Sequence, residues 1–346
     1  MYRYRTAYLR DKNHYEPAGS GGNRRELWPA EVLQFIEDFL ALQKPPNYQL
    51  ISDELLRLYG FGRARSGIEA YVKSHCAHLL DAPIQKKRTY RRFRRSRIGE
   101  LYQHDSSIHQ WWPSDSKQTL LMTTDDHSGL ITAGRFVESD TTWNHFMHFR
   151  TAFETWGMPE IIYTDGLKLF GPSSCDDLMD PKSEFQRALK GLGVVHLVAS
   201  TPQAKGKIER RFGTFQNRLI ALLAYAKVKH WDQADELLQM EIVRRNKTRL
   251  RTTGNIPLEV WNEQTLNKTG RILQTPSPRL LDLHLSLRQK RRVNNDHTID
   301  FEGQNYEISA TKRRTVTIVH HPQQQFWVTE TPPTNVWPPI LGHFTL

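Results

Sequence analysis

Three acidic residues far apart in the chain, Asp105, Asp165 and Glu209, sit in settings that suit metal-assisted chemistry on phosphate esters. Glu160-Ile161-Ile162-Tyr163-Thr164 has the β-branched and aromatic content of a short buried strand and runs directly into Asp165-Gly166. An aspartate at the carboxyl end of a strand, followed by glycine, is where α/β folds present reacting groups. Asp105 falls inside a second strand-like stretch, Leu101 to Trp112. A charge buried there costs several kcal/mol unless a cation or an ion-pair partner offsets it. Glu209 follows Ser200-Thr201-Pro202-Gln203-Ala204-Lys205-Gly206-Lys207-Ile208, where Thr201 suits an N-cap and Pro202 a first helical position. The apolar residues Ile208, Phe212, Phe215, Leu219 and Leu222 then recur at close to the helical period, with Glu209 at the edge of that stripe. Taken alone, Glu209 is an ordinary solvated helix glutamate. Three carboxylates converging from two strands and a helix would instead supply hard oxygen ligands for Mg²⁺ or Mn²⁺, and two such ions can clamp the attacking and leaving oxygens of a phosphoryl displacement.

The elements that must bring these residues together can be read on either side of them. Thr119–Thr124 and Leu130–Val137 form a hairpin around Asp126-His127-Ser128-Gly129, and with the Asp105 stretch make three antiparallel strands. Asp140 or Thr141 caps a helix that runs to Trp156 and is broken by Gly157-Met158-Pro159. The Asp165 strand follows, then a helix over Phe185–Leu192, a strand over Val194–Val198 and the Glu209 helix, with a further helix from Trp231 to about Asn246. Asp125 and Asp126 also lie near the candidate ligands, but beside a glycine turn the expected role is to shape the turn. Asp176, Asp177 and Asp180 fall in a loop-like stretch and rank lower.

The stretch from about Arg97 to Trp261 resembles the catalytic core of the DDE transposases and retroviral-type integrases, and among them bacterial insertion-sequence transposases. The residues that carry the resemblance are His104-Asp105, Asp125-Asp126-His127-Ser128-Gly129, Tyr163-Thr164-Asp165-Gly166, and Thr201-Pro202-Gln203-Ala204-Lys205-Gly206 leading to Glu209-Arg210. It implies an RNase H-like core, a mixed five-stranded sheet with helices, in which Asp105, Asp165 and Glu209 are the catalytic residues and the ligands of two Mg²⁺ or Mn²⁺ ions. It also implies DNA cleavage by water, joining by the freed 3′-hydroxyl, and a homo-oligomer assembled on transposon ends and target DNA. Between Asp165 and Glu209 lie 43 residues, more than is usual in the family, with Gly171–Asp177 as the extra loop. Integrases grip DNA with lysines one and two turns after the glutamate; Gly213 and Gln216 occupy those positions here, leaving Arg210, Arg211 and Arg218 as substitutes, together with Lys205 and Lys207 ahead of the glutamate. Two other readings stay open: a metal nuclease of the same fold that cuts without joining, and a DNA-binding regulator built on an inactive core. A partner ATPase is left undetermined.

Composition agrees with a nucleic-acid partner. The 346 residues carry a formal charge of +11, which favours a polyanion. Two cysteines, Cys76 and Cys175, exclude a disulfide scaffold or a multi-cysteine zinc site, and His75 and His78 lack a second ligand pair. No apolar run reaches the ~20 residues of a membrane span, and no signal-peptide core opens the chain, so the bacterial cytoplasm, at the nucleoid, is the expected setting.

Residues 1–25 read as a basic arm or linker. Residues 26–82 have a helical period, with Val32, Phe35, Ile36, Phe39 and Leu40 as one stripe, Ser52 as the cap of a second helix, Gly60 as its stop, and a third helix from Ser66. Helix, short turn and helix after a supporting helix is the helix-turn-helix pattern, and Arg63, Arg65, Ser66 and Lys73 are its candidate DNA contacts. Residues 83–97 form a basic linker in which Lys86, Lys87, Arg88, Arg91, Arg92, Arg94 and Arg95 are candidate phosphate contacts. The catalytic core is expected over 98–262, a linker over 263–295, a small β-barrel over 296–330 and a tail over 331–346.

Overall fold

The computed structural model describes residues 28–42, 46–80, 94–113, 116–165, 168–170, 181, 183–199, 202–271, 275–322, 324–334 and 336–346, with the side chains of 168, 202–211 and 214 outside the description. The chain divides into two units, 1–83 and 84–346. The stretches 1–27, 81–93 and 171–180 therefore lie outside the described residues, and with them most of the expected arm, the basic linker and the Gly171–Asp177 loop.

The first unit is helical. Helices α1 (Ala30–Leu42), α2 (Tyr48–Tyr59) and α3 (Arg65–His75) bury Val32, Phe35, Ile36, Phe39 and Leu40, then Leu50, Ile51 and Leu55, then Ile68 and Val72. The second helix starts earlier than Ser52: Asn47 is its cap, accepting from Leu50 N at 3.1 Å. Ser52 lies inside the helix and donates its hydroxyl to Arg63 O, which ties the α2–α3 turn back to α2. Gly60 ends α2 at φ 64°, a left-handed conformation that a Cβ would strain.

The second unit is built on a mixed five-stranded sheet: β1 (Leu101–His109), β2 (Gln118–Asp125), β3 (Ile131–Val137), β4 (Ile161–Thr164) and β5 (Val195–Val198), in the order β3-β2-β1-β4-β5. The first three strands are antiparallel, and β4 and β5 add in parallel on the other side of β1. Helices α4 (Thr142–Trp156) and α5 (Glu184–Gly191) cover one face, where Phe146, Phe149, Phe153, Phe185 and Leu189 pack with Tyr102 and Ile162. Thr141 caps α4, accepting from Asn144 N, and Ser183 caps α5. Helices α6 (Pro202–Tyr225) and α7 (Trp231–Asn246) cover the other face, where Phe212, Phe215, Leu219 and Leu238 pack with Leu120, Met122 and Phe136.

Strand β3 is an edge of this sheet, and α7 closes it. Asp235 accepts from Phe136 N at 3.2 Å, Gln239 donates to Gly134 O at 3.0 Å, and the Asn246 amide bonds both Ile131 N and Ile131 O, at 2.8 and 2.9 Å. Backbone groups that would otherwise offer a ladder to another strand are thereby used. Gly134 permits the approach, since a Cβ there would lie 2.6 Å from Ile242 Cδ1.

Two further helices, α8 (Pro257–Leu266) and α9 (Pro278–His284), place Trp261 and Leu281 in the first-face core. The interval 263–295 thus holds the end of α8, all of α9 and a strand, β6 (Leu287–Arg292), made of the second basic run. Strands β7 (Thr298–Phe301), β8 (Gln304–Glu307), β9 (Thr315–His321), β10 (Gln325–Thr329) and β11 (Ile340–Thr345) follow. They pair as a four-stranded antiparallel sheet, β11-β10-β9-β6, and a β7-β8 hairpin, with Ile299, Phe301, Ile318, Phe326 and Val328 in a shared core. The β-barrel expected over 296–330 falls on these strands, which begin at Leu287 and reach Thr345. Among the described residues no helix is long and apolar enough to cross a membrane.

Two consequences for stability can be measured. Arg218 of α6 and Glu241 of α7 form an ion pair, Nε to Oε1 2.7 Å, with side-chain exposures of 6% and 3%. Arg244 also donates to both Glu241 oxygens, at 2.7 and 2.6 Å. Glu241→Gln removes the buried charge that faces both arginines and is expected to lower the unfolding free energy by about 3–5 kcal/mol, whereas Arg218→Met with Glu241→Leu recovers part of it; urea titration of the three proteins at pH 7 checks both. His148 is fully buried, and desolvation first, with His145 and Arg135 nearby, lowers its pKa from 6.5 to about 3. The unfolded chain therefore binds a proton that the folded chain refuses between those values. Its contribution is fully present above pH 6.5 and is lost on acidification, at about 1.4 kcal/mol per pH unit. His148→Gln should flatten the stability–pH curve by that slope between pH 6 and 4.

Candidate active site

The site is set by how β1 pairs with β4. Leu101, Tyr102 and Gln103 lie opposite Ile161, Ile162 and Tyr163 in parallel register. Asp105 lies two residues beyond this paired stretch on β1, and Asp165 directly follows the last residue of β4, so both come after the same end of the β1–β4 ladder. Alternation then fixes the face. Asp105 is the partner of Met122, which packs in the core under α6 and α7, and Asp165 shares its parity with Tyr163, which packs against the same core. Both aspartates thus belong to the α6 face of the sheet, and both are half-buried.

Local bonds hold the two strand positions. Asp105 Oδ1 accepts from Ser106 N at 3.0 Å. Thr164 donates its hydroxyl to Asp165 O at 3.0 Å and lies 2.9 Å from His196 Nε2 on β5. Burial lowers the His196 pKa to about 4, so the ring is neutral near pH 7. The Thr164 hydroxyl, having donated to Asp165 O, accepts from His196 Nε2–H. Helix α6 is anchored to β1 by Gln216, which donates to Ser107 Oγ two residues beyond Asp105. Gln216, at a position where integrases carry a lysine, is here a tie between helix and strand.

Helix α6 begins at Pro202, as its sequence predicts; Thr201, the expected cap, lies outside the described residues. Glu209 is in this helix, two turns before Gln216, and its side chain is outside the description, as are those of Lys205, Lys207, Arg210 and Arg211. Among the described residues no group of three His, Cys, Asp or Glu side chains forms a metal site, and Glu209 is not in that set. The donor chemistry of the two aspartates does fit a hard cation. Two carboxylates on one face of adjacent strands repel, and oxygen ligands of this kind are those that Mg²⁺ and Mn²⁺ take.

Asp125 shapes the turn, as expected, whereas Asp126 ties the turn to the segment before β1 and to β1 itself. Asp125 is fully buried and accepts from Gly99 N at 2.9 Å, Ser128 N at 2.7 Å and Ser128 Oγ at 2.6 Å. Burial raises its pKa against those bonds. Asp126 accepts from Arg95 N at 2.7 Å and from the Gln103 amide.

The candidate DNA contacts are dispersed. Arg65 and Lys73 flank Glu69 on α3, at 3.8 and 2.7 Å; Ser66 is exposed on the same helix, and the Arg63 guanidinium lies 5.2 Å from the centre of the Phe61 ring. Lys86, Lys87, Arg88, Arg91 and Arg92 lie outside the described residues. Arg94 donates to His127 O at 2.6 Å, so this end of the basic run is fastened to the β2–β3 turn. Arg218, considered from sequence as a substitute DNA grip, is sealed against Glu241 instead. Sequence reasoning named His104 as a motif residue and Asp140 as a possible helix cap, but missed Thr123, His145 and His148 and the bonded cluster the five form behind β1. The available signal was His145 and His148 one turn apart beside Phe146 and Phe149, which places both on the apolar side of α4.

No family model matches the chain. It is 31% identical over 167 residues to a Sinorhizobium fredii protein named "Putative transposase y4bF", a match covering 47% of this chain and 36% of that one. It is 28% identical over 260 residues to the transposase for insertion sequence IS1202 of Streptococcus pneumoniae, covering 70% of this chain and 52% of that one. The chain thus spans about half the length, or less, of the curated relatives it matches. Among solved structures, the catalytic core domain of HTLV-2 integrase in complex with magnesium aligns at 18% identity over 48% of this chain and 99% of that one, with a TM-score of 0.38. The chain is thus similar in sequence to two proteins named as transposases, one of them the transposase of an insertion sequence.

Proposed function

We propose that the chain is a DNA transposase that binds transposon ends and catalyses metal-dependent cleavage and strand transfer, with Asp105, Asp165 and Glu209 as its catalytic carboxylates. The observation that supports this reading is the β1–β4 register: Asp105 and Asp165 each come two residues after the paired Gln103 and Tyr163, and Met122, opposite Asp105, and Tyr163 pack in the core under α6. The path of α6 supports the third member. Its C-terminal end leads into α7, whose first residue, Trp231, packs on Trp112 at 5.0 Å just past the end of β1. Gln216 meets Ser107 farther back, and Glu209 lies about 10.5 Å before Gln216 along the axis, on the same side of the helix. Going back along α6 is therefore going back along β1, toward Asp105.

Asp105 and Asp165 would hold Mg²⁺ or Mn²⁺, two ions per site, with Glu209 completing the second. When bound, the ions supply the positive charge that activates the attacking oxygen and stabilises the leaving one. The protein's own part is to fix carboxylates on rigid strands, so that the incoming oxygen and the scissile phosphate meet in one orientation. Water attacks phosphorus at the transposon end and the P–O3′ bond breaks, leaving a 3′-hydroxyl. That hydroxyl then attacks a target phosphate and displaces its 3′ oxygen. The energy of one phosphodiester passes to the next, and no protein nucleophile is needed.

DNA recognition is assigned to the helical unit and the basic segments. Arg63, Arg65, Ser66 and Lys73 would address a groove in the manner of a helix-turn-helix. Lys86, Lys87, Arg88, Arg91, Arg92, Arg94 and Arg95 would follow phosphates, and Lys205, Lys207, Arg210 and Arg211 would hold the end near Glu209. The partner is double-stranded DNA bound by a homo-oligomer, in the cytoplasm of a bacterium.

The decisive experiment uses Asp105→Asn, Asp165→Asn and Glu209→Gln, with Asp126→Asn as the control. Each amide keeps the shape and removes the charge. Joining of pre-nicked ends in Mg²⁺ or Mn²⁺ should fall by orders of magnitude in each of the three and survive in the control, while DNA binding persists in all. Wild-type joining by Glu209→Gln would overturn the triad, and cleavage without joining by the unmodified protein would make it a nuclease. Alanine at Arg91, Arg92, Arg94 and Arg95 should weaken binding to specific and random duplex alike and flatten the salt dependence by about one unit of slope per lost phosphate contact. An unchanged slope would leave the run as a structural linker.

A further inference from the structure

Asp105 is one of three consecutive residues of β1 whose side chains alternate between faces. Its neighbours His104 and Ser106 therefore point away from the α6 face, toward α4. Both are caught there by the same pair of residues at the start of that helix. Ser106 donates its hydroxyl to Asp140 Oδ2 at 2.8 Å. His104 Nε2 shares a hydrogen bond with His145 Nδ1, 2.8 Å away. His145 in turn donates from Nε2 to Asp140 Oδ1. The path Ser106–Asp140–His145–His104 leaves the strand one residue after Asp105 and re-enters it one residue before. With the backbone of 104–106 it closes a ring of which Asp105 is the middle residue.

The ring is braced on its far side and sealed. His104 Nδ1 lies 2.8 Å from Thr123 Oγ1 on β2, and Thr123 Oγ1 lies 2.7 Å from His148 Nε2, one turn along α4. His104, Thr123, His145 and His148 are buried to within a few per cent, and the rings of Phe149 and Phe170 close over His104. Buried polar groups that bond one another rigidify their surroundings, because each broken bond strands a group that water cannot reach. The bonding directions at Asp140 leave no ambiguity. A carboxylate only accepts, so Ser106 and His145 both donate to it, one to each oxygen. Burial raises the Asp140 pKa, but the hydrogen bonds from His145 and Ser106 outweigh burial and keep the carboxyl below its ordinary range. The acceptor is therefore ionised at neutral pH.

We propose that Asp140 and His145, acting through Ser106 and His104, are positioning residues that hold the Asp105 carboxylate in register with Asp165 for divalent-ion binding. The inference rests on the transposase reading only in taking Asp105 as an ion ligand. Mg²⁺ demands near-ideal octahedral geometry, whereas the larger Mn²⁺ accepts the same oxygen ligands with less strict placement. A ligand freed by a few tenths of an ångström should thus weaken Mg²⁺ binding more than Mn²⁺ binding. A general loss of stability would not change that ratio.

The test measures ion binding on the full chain without DNA. The free Mn²⁺ signal in electron paramagnetic resonance is titrated with protein, and Mg²⁺ is then added as competitor. The variants are Ser106→Ala, which removes one arm of the ring and leaves the rest in place, Ser106→Thr, which keeps the hydroxyl, and Asp140→Ala, which removes both arms. Asp105→Asn is the reference for loss of the ligand itself. Ser106→Ala and Asp140→Ala are expected to weaken Mg²⁺ about ten-fold and Mn²⁺ by less, with Ser106→Thr close to the unmodified protein. Should Asp140→Ala fail to fold, the Ser106 pair still decides. Unmodified affinities and an unmodified Mg²⁺/Mn²⁺ ratio in Ser106→Ala, while Asp105→Asn loses binding, overturn the positioning role and leave the ion site intact. Unmodified binding by Asp105→Asn overturns the ion site itself.

Discussion

Two like charges on neighbouring parallel strands are the constraint to which the rest of the second unit answers. Carboxylates that converge on one site repel one another when both are ionised. A fold tolerates that only if the strands cannot drift apart, and the sheet provides it from several directions. Strand β1 is central, paired on one side with β2 over eight residues and on the other with β4. The end of β4 is held through Thr164 by β5, and β1 is held by α6 through Gln216. On the reading proposed above, strands held in this way would keep the two carboxylates in place for a divalent ion.

The surrounding polar groups follow the same logic of enclosure. Asp125 accepts three hydrogen bonds in a buried turn, Asn246 satisfies both backbone groups of Ile131, and Arg218 meets Glu241 between α6 and α7. None of these is a strong source of net stability, since each carries a desolvation cost close to its gain. What they provide is specificity of arrangement. A turn, an edge strand and a helix pair are each held in one placement by these contacts. The two layers that sandwich the aspartates are thereby fixed relative to the sheet.

Much of this architecture was legible in the sequence wherever a local signal carried it. The helix over Trp231–Asn246, the start of α6 at Pro202 and a cap at Thr141, one of the two residues read for it, are found in the structure, because periodicity, proline and capping chemistry act over a few residues. Ser52 looked like a cap because serine before an acidic pair has that pattern, but Asn47 lies nearer the true start and its side chain reaches Leu50 N. Strand β6 was hidden because its residues, Leu287-Arg288-Gln289-Lys290-Arg291-Arg292, have no apolar alternation. Its strand state comes from pairing with β9, some thirty residues on, and from apolar contacts of its long side chains, as where Arg291 lies over Phe301. In the site, the candidacy of Asp105 and Asp165 was legible from residue type and local setting. Their adjacency was not, because parallel register is a long-range property. His145 and His148 escaped notice because a buried histidine and a surface one look alike until the opposite wall, here Thr123 and Asp140, is known.

The net charge of +11 bears on DNA binding only after the internal use of cations is subtracted. Arg150 is paired with Asp282 at 2.6 Å, Arg271 with Glu160 at 3.0 Å, and Arg218 with Glu241. Arg187 donates to the carbonyls of His284 and Ser286, and Arg288 to those of Leu283 and Pro333. Burial, with Arg187 close by, lowers the Arg288 pKa to about 10, which leaves it charged at neutral pH but enclosed. These arginines join α4 and α5 to α9, β6 and the segment after β10, and so serve to fasten the C-terminal strands to the core. A phosphate backbone needs cations that are dense, exposed and unopposed by acids. The stretch from Lys86 to Arg97 has eight lysines and arginines and no acid, and the start of α6 adds Lys205, Lys207, Arg210 and Arg211 around Glu209. On the proposed reading, those two segments rather than the overall charge would meet a duplex, and one of them carries Glu209, the proposed third carboxylate.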